Sequence, residues 1–208
     1  MTDYSLEFLE TGPKTLEKAL VLAHGAGAGM RSSFMESFAE GLGARGIAVY
    51  RFEFSYMREL AASGRRRPPD REPVLRQCWS KVVARLDGRR LVIGGKSLGG
   101  RIASLIADDS GVAGLVCLGY PFHPPGRPDR TRTDHLAKLR TPTLICQGCR
   151  DPFGTFEEVS AYRLSSAITI QWLADGNHSL EPRRASGRTA EQNWNEAMDR
   201  IAEFARSV

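Results

Sequence analysis

The sequence predicts an α/β protein of three layers, in which helices cover both faces of a mostly parallel sheet. Its short apolar runs are continuous rather than alternating, as is typical of strands buried on both faces. These runs cover residues 19–24, 46–54, 90–95, 112–120, 141–148 and 167–174. Stretches with helical periodicity separate them, and this alternation favours a parallel sheet. Residues 4–10 are a candidate edge strand.

The predicted helices carry apolar side chains three and four residues apart. One stripe runs from Leu75 to Leu86, a second begins directly after Ser97, and a third ends at Phe204. A weaker stripe lies within residues 34–42. Such stripes are typical of helices that bury one face against a sheet. The Pro- and Gly-rich segments 63–73 and 121–132 fit loops between elements.

Length and composition indicate one soluble domain over residues 1–208. Hydrophobic residues make up 41% and charged residues 25%, as in ordinary globular proteins. No apolar run approaches the about 20 residues that span a bilayer, and the first residues lack a signal-peptide pattern. We therefore expect a cytoplasmic protein that makes no membrane contact. In that compartment we expect buried free thiols at Cys78, Cys117, Cys146 and Cys149.

The net charge of +5 is concentrated in the segment 63–72, which includes Arg65, Arg66 and Arg67. Basic clusters attract nucleic acid or anionic substrates. This cluster has no interleaved aromatic residues and no nucleic-acid motif, so we expect a solvated loop, with nucleic-acid binding through these arginines as a less favoured alternative. Its place after a strand end gives a weak preference for anionic substrates. The sequence does not fix the oligomeric state.

The stretch "LVIGGKSLGG" contains two overlapping motifs. A phosphate-binding loop needs G-x-x-x-x-G-K-[ST], which would put its first glycine at position 90. That residue is Arg90, and "LVIG" is strand-like, so the phosphate-binding interpretation fails. The pattern G-x-S-x-G is matched by Gly95, Ser97 and Gly99 between an apolar strand and an amphipathic helix. This context predicts a nucleophile elbow with Ser97 at its tip, and it leaves Lys96 without a role.

A serine nucleophile needs a base, and the base needs an orienting acid. In this arrangement the chain order is Ser, then Asp or Glu, then His. His178 follows the last strand and is the predicted base. Asp151 follows the preceding strand and is the predicted acid, with Asp175 ranked second because it lies only three residues before the histidine. His123 precedes these acids and is a candidate pocket residue.

An oxyanion hole needs two backbone N–H groups. Leu98, directly after the nucleophile, and Ala26, in the turn "HGAGAG", are the predicted donors. We expect His24 to hold that turn by hydrogen bonds, and we place it among the candidate pocket residues. The chain is short and has no long insertion, so we expect no cap domain. The remaining residues predicted to surround an open cleft are Tyr56, Tyr120, Phe122, His123 and Phe153.

With these residues assembled, the sequence resembles a known group of the α/β-hydrolase superfamily. The stretches "LAHGAGAGM", "GGKSLGGRIAS", "LGYPFHPPGRP", "LICQGCRDPFG" and "DGNHSL" resemble small hydrolase-like proteins. That group is related to testis-expressed protein thirty and to a subunit of the non-specific-lethal histone-acetyltransferase complex. The resemblance implies the α/β-hydrolase fold and a triad of Ser97, Asp151 and His178. It implies no substrate.

The sequence thus predicts a serine hydrolase that cleaves an ester or thioester of a small acyl substrate through an acyl-enzyme on Ser97. No cofactor and no metal are expected. A triad does not distinguish a hydrolase from an acyltransferase. The alternative is a non-catalytic interaction protein that retains the fold.

Overall fold

The structure, a computed structural model, describes residues 6–14 and 17–208. Its strands are β1 Leu9–Thr11, β2 Lys18–Ala23, β3 Val49–Phe52, β4 Arg90–Lys96, β5 Gly114–Leu118, β6 Thr143–Gly148 and β7 Ile168–Leu173. Its α-helices are α1 Ser33–Ala44, α2 Ser55–Ser63, α3 Glu72–Arg85, α4 Leu98–Ser104, α5 Phe156–Ser160 and α6 Ala190–Ser207.

The strands form one sheet in the order β1-β3-β2-β4-β5-β6-β7. The strand β1 pairs with β3 antiparallel, and every other pairing is parallel. The candidate edge strand, predicted for residues 4–10, is confirmed at residues 9 and 10, which lie in β1. Residues 6–8 form no strand, and positions 4 and 5 lie outside the described residues. Each of the six predicted apolar runs overlaps one strand. Because the strands after β1 are parallel, their carboxyl ends meet at one edge, where an α/β sheet carries its site.

The strands from β2 to β7 contribute alternate side chains to two hydrophobic clusters, one on either face of the sheet. In β2, Val21 packs into the cluster that includes Trp79 of α3. Its neighbours Leu20 and Leu22 pack into the cluster that includes Phe38 of α1 and the buried face of α6. This alternation explains the continuous apolar runs, because successive side chains of a strand point to opposite faces and both faces are covered.

The connection between β5 and β6 contains only loop and one short 3₁₀ helix, Leu136–Lys138. The described part of the chain therefore inserts no cap domain at the strand ends, as predicted. No helix among the described residues is both long enough and apolar enough to cross a membrane. All four cysteines are free thiols, and Cys149 is the one with partial exposure.

Candidate active site

Ser97 lies on the turn between β4 and α4 in a strained backbone conformation. Its φ is 48° and its ψ is −112°, values that non-glycine residues rarely adopt. A Cβ atom at Gly95 would be 2.1 Å from the carbonyl oxygen of Ala23, and one at Gly99 would be 2.4 Å from the same oxygen. The glycines on either side of the serine therefore allow β4 and α4 to lie against β2, which makes the tight turn possible.

The structure brings Ser97, His178 and Asp151 into one chain of hydrogen bonds. The Ser97 hydroxyl donates to Nε2 of His178 over 2.9 Å, and Nδ1 of His178 donates to Oδ2 of Asp151 over 2.7 Å. The carboxyl group is fully buried and also accepts from the backbone N–H of Phe153. Because the Asp151 carboxylate accepts the hydrogen bond from Nδ1, the imidazole carries its proton on Nδ1, and Nε2 is left to receive a proton from the serine.

The environment of His178 favours the neutral imidazole that a base needs. Burial lowers the pKa of His178, the hydrogen bond to Asp151 raises it, and the positive charge of Lys96 lowers it further. The ring of Phe153 packs against the imidazole, with ring centroids 4.2 Å apart. This contact limits both the rotation of the ring and its access to water.

Gln147, at the end of β6, supports the acid and was not predicted from the sequence. Its side chain is fully buried, donates to Asp151 Oδ2 over 2.9 Å and to the carbonyl of Gly154 over 3.2 Å, and accepts from the N–H of Tyr120 over 2.7 Å. It therefore ties the loop after β5 to the loop that carries the acid. The available signal was an amide in an otherwise apolar strand, since a buried amide needs polar partners.

The turn after β2 is held from below by two buried side chains. Nε2 of His24 accepts from the N–H of Phe54 over 3.1 Å, so Nδ1 carries the proton and donates to the carbonyl of Gly25 over 2.7 Å. Burial lowers the pKa of His24 to about 4, which keeps it neutral. The Tyr56 hydroxyl lies within hydrogen-bond distance of the carbonyls of Gly25 and Ala26. Because the carbonyl and the N–H of a trans peptide point in opposite directions, the Ala26 N–H points away from the His24 and Tyr56 side chains that bind the Gly25 carbonyl.

The predicted oxyanion donors have no competing partner. Within residues 6–14 and 17–208, neither the Ala26 N–H nor the Leu98 N–H donates to a protein acceptor. Leu98 is the first residue of α4, where backbone N–H groups lack intrahelical acceptors. Both N–H groups therefore remain the predicted donors to an anion at the serine.

A cavity of about 470 Å³ opens beside the nucleophile. Its wall combines the turn after β2, the start of α1, one residue of α6 and the segment after β7. The residues that line it are Gly25, Ala26, Gly27, Ala28, Ser32, Ser33, Phe34, Met35, Lys96, Ser97, Phe153, His178, Ser179, Glu181 and Trp194. A larger cavity of about 590 Å³ lies at the opposite ends of the strands and contains none of the predicted site residues.

Most of the predicted pocket residues do not line this cavity, and for them the prediction is wrong. Phe153 lines it, whereas His24, Tyr56, Tyr120, Phe122 and His123 are buried elsewhere. The aromatic residues that line the cavity and were not predicted are Phe34 of α1 and Trp194 of α6, which lie in the apolar stripes of these helices.

The prediction fails because most of these residues lie on the face of the sheet opposite to the cavity. Tyr56, Tyr120 and Phe122 belong to the hydrophobic cluster on the side of α3 and α4. The cavity opens on the other side, next to α1 and α6. His123 is held by Glu158 of α5 over 3.2 Å and by the carbonyl of Pro124 over 2.8 Å, so both ring nitrogens are occupied away from the cavity.

Two other expected participants also lie elsewhere. Asp175, the second-ranked acid, accepts hydrogen bonds from the side chain and backbone of Arg183, which together with the charge of Arg150 lower its pKa to about 2. Among the described residues, no hydrogen bond or ion pair joins its carboxylate to His178. The arginine-rich segment is an exposed loop between α2 and α3, in which Arg67 pairs with Glu59 over 3.1 Å, and none of its arginines lines the cavity.

Sequence comparison identifies the family. A sequence model described as "Alpha/beta hydrolase domain" matches residues 16–206 of this chain. The chain therefore belongs to the alpha/beta hydrolase domain family. The narrower resemblance to the proteins related to testis-expressed protein thirty stays a prediction.

Solved structures share the fold at low sequence identity. One is an alpha-beta serine hydrolase homologue from Coxiella burnetii, at 20% identity and a TM-score of 0.64, with 98% of this chain and 91% of that one covered. Another is a serine hydrolase without a lid from Xanthomonas campestris, at 17% identity and a TM-score of 0.69, with 96% of this chain and 89% of that one covered. A third is a dienelactone hydrolase from Anabaena variabilis, at 18% identity and a TM-score of 0.72, with 98% of this chain and 92% of that one covered. At these identities the likeness establishes the shared fold.

Proposed function

We propose that this protein is a serine hydrolase that cleaves carboxylic esters or thioesters through an acyl-enzyme on Ser97. The observation that carries the proposal is the continuous chain of hydrogen bonds from Ser97 through His178 to the buried Asp151. Serine is a poor nucleophile at its ordinary pKa, and this arrangement is the one that activates it. The names of similar structures, which include serine hydrolases and esterases, agree with the proposal.

In the proposed reaction, Ser97 Oγ attacks the carbonyl carbon while its proton moves to Nε2 of His178. Asp151 stabilises the imidazolium, and the N–H groups of Ala26 and Leu98 stabilise the oxyanion. Collapse of the tetrahedral intermediate breaks the bond to the leaving group, which takes the proton from His178. A water molecule then gives a proton to His178 and attacks the acyl carbon. As the bond from the acyl carbon to Ser97 Oγ breaks, Oγ takes the proton back from His178, which releases the acid and restores Ser97.

The cavity supports a small acyl substrate. Its volume of about 470 Å³ lies within the about 300–1,000 Å³ that is typical of small-molecule sites. Phe34, Phe153 and Trp194 give it apolar walls, and Lys96 and Glu181 supply opposite charges. An ester or thioester is preferred over an amide, because its leaving group needs less assistance from the acid.

The strained serine favours catalysis over the alternative of a non-catalytic interaction protein. A non-glycine residue in such a conformation costs on the order of 1–3 kcal/mol and persists where the surrounding structure requires it. A scaffold without chemistry has no need of that strain. It also has no need of a histidine aligned with the hydroxyl at the wall of a cavity.

The test combines active-site labelling with turnover. Wild-type protein should react with a fluorophosphonate probe at Ser97 and should hydrolyse members of a panel of acyl esters and thioesters, whereas the Ser97→Ala variant should do neither. Folded wild-type protein that takes up no probe would refute the enzyme and favour the interaction protein. Equal rates for wild type and variant on the panel would refute the assignment of the nucleophile.

A further inference from the structure

Lys96, directly before the nucleophile, has contacts that the hydrolytic mechanism does not yet use. It lines the cavity, and its ammonium group donates a hydrogen bond to the backbone carbonyl of His178. The ammonium also lies 5.4 Å from the ring centroid of Phe34. No described carboxylate forms an ion pair with it, so its strongest polar contact is with the residue that carries the base.

The surrounding backbone leaves room for this side chain. A Cβ atom at Gly119, after β5, would be 2.9 Å from Nζ of Lys96 and 2.6 Å from the carbonyl oxygen of His178. A Cβ atom at Gly25 would be 3.4 Å from Cγ of the lysine. The side chain therefore passes between the turn that carries the oxyanion donor and the loop that carries the base, and a glycine at position 119 makes space for its charged end.

We propose that Lys96 is a positioning residue for the base: its ammonium holds the His178 loop by the carbonyl and places a positive charge near the imidazole. The inference rests on the proposed roles of Ser97 and His178. Lysine suits both tasks, because it combines a donor with a full positive charge that opposes a second cation nearby.

The charged groups around the imidazole are consistent with this role. Asp151 after β6 and Lys96 act on the imidazole, and Glu181 after β7 acts on Lys96, whereas the cavity-lining residues of α1 and α6 are uncharged. Burial lowers the pKa of Lys96 to about 8, and the carboxylates of Asp151 and Glu181 act in the opposite direction. The lysine is therefore charged over the whole range, below about 6.5, in which an imidazole takes up its proton.

The experiment measures the protonation of His178 directly, by NMR titration of its imidazole. The signal is assigned by its loss in a His178→Gln variant. The midpoint should move to higher pH in Lys96→Met, which removes the charge and the donor, and in Lys96→Gln, which removes only the charge. It should stay near the wild-type value in Lys96→Arg. The matched control is Lys81→Met, on the exposed side of α3, and it should change nothing.

Kinetics separate the two tasks of the lysine. On a neutral ester, Lys96→Met should lose about ten- to a hundredfold in kcat with little change in KM, because small displacements of a catalytic group are costly. Lys96→Gln should keep most of kcat, because its amide can still donate to the carbonyl. The acid limb of kcat/KM should move with the NMR midpoint in both variants.

An unchanged midpoint in folded Lys96→Met and Lys96→Gln, or the same shift in Lys96→Arg as in the two neutral variants, would overturn the inference. A failure of the proposed function looks different. In that case wild-type protein neither reacts with the probe nor hydrolyses the ester, while the NMR midpoints still decide the role of Lys96.

Discussion

Two serine–histidine pairs lie in this molecule at almost the same separation, and only one has the hydrogen-bond pattern that the proposed mechanism requires. Ser97 and His178 are 2.9 Å apart, and Ser104 Oγ lies 2.8 Å from Nε2 of His135. Both histidines have a pKa that burial lowers. The distance between hydroxyl and imidazole therefore does not identify a nucleophile.

The pairs differ in which partner donates the hydrogen bond between the hydroxyl and the imidazole. The Ser104 hydroxyl donates to the carbonyl of Arg101 over 2.7 Å, and the nearby Tyr120 hydroxyl donates to the carbonyl of Arg132 over 3.1 Å. Nε2 of His135 must therefore donate to these oxygens and cannot accept a proton from Ser104. In the other pair Asp151 holds Nδ1 as the donor, which leaves Nε2 as the acceptor for Ser97.

The largest effect should come from removing one hydroxyl of each pair. We expect Ser97→Ala to lower kcat/KM on a responsive ester by about a millionfold, the scale seen when a triad nucleophile is removed. Ser104→Ala should retain wild-type kcat/KM, because its hydroxyl has no free base. Mass spectrometry of probe-treated protein should find the label on Ser97 alone. A label on Ser104 would contradict the comparison.

The second effect tests the carboxylate that only one of the pairs possesses. Asp151→Asn should lower kcat by about ten-thousandfold, because an amide can donate to Nδ1 and so stabilise the wrong imidazole tautomer. Asp175→Asn is the matched control, since its side chain pairs with arginines near the surface, and it should keep kcat. The opposite ranking would make Asp175 the acid. Thermal unfolding of both variants checks that a low rate reflects chemistry.

The first of these pairs could be predicted from the sequence, because motif and chain order identify Ser97, Asp151 and His178. The sheet was also predictable, since each strand leaves a continuous apolar run. The pocket was not. Sequence order tells which residues follow a strand but not which face of the sheet they pack on, and large aromatic residues such as Tyr120 and Phe122 are buried where helices can cover them. Gln147 belongs to no motif, and its role depends on contacts with two loops that only the fold brings together.

A smaller effect should come from Gln147, which supports the acid without touching the reacting atoms. Gln147→Met removes the donor to Asp151 and should lower kcat about tenfold with little change in KM, because the imidazole loses part of its orientation. Gln171→Met, on the neighbouring strand β7, is the control and should preserve kcat. A wild-type kcat in folded Gln147→Met would show that the backbone N–H of Phe153 suffices to hold the carboxylate.

The smallest effect concerns the structural pair and should appear in stability alone. Ser104→Ala leaves the buried Nε2–H of His135 with only the longer contact to Tyr120, 3.4 Å, so we expect the free energy of unfolding to fall by about 1–2 kcal/mol. Ser110→Ala provides the comparison, because Ser110 donates to the carbonyl of Ile106 over 2.7 Å without a histidine partner. It should cost less, about 0.5 kcal/mol. Urea unfolding measures both free energies, and equal losses would mean that His135 contributes nothing through Ser104.

A different outcome would be a changed kcat in Ser104→Ala at unchanged stability. In that case the second pair would have to act on the candidate active site. Its position argues against this, because the pair lies on the opposite side of the sheet from the cavity.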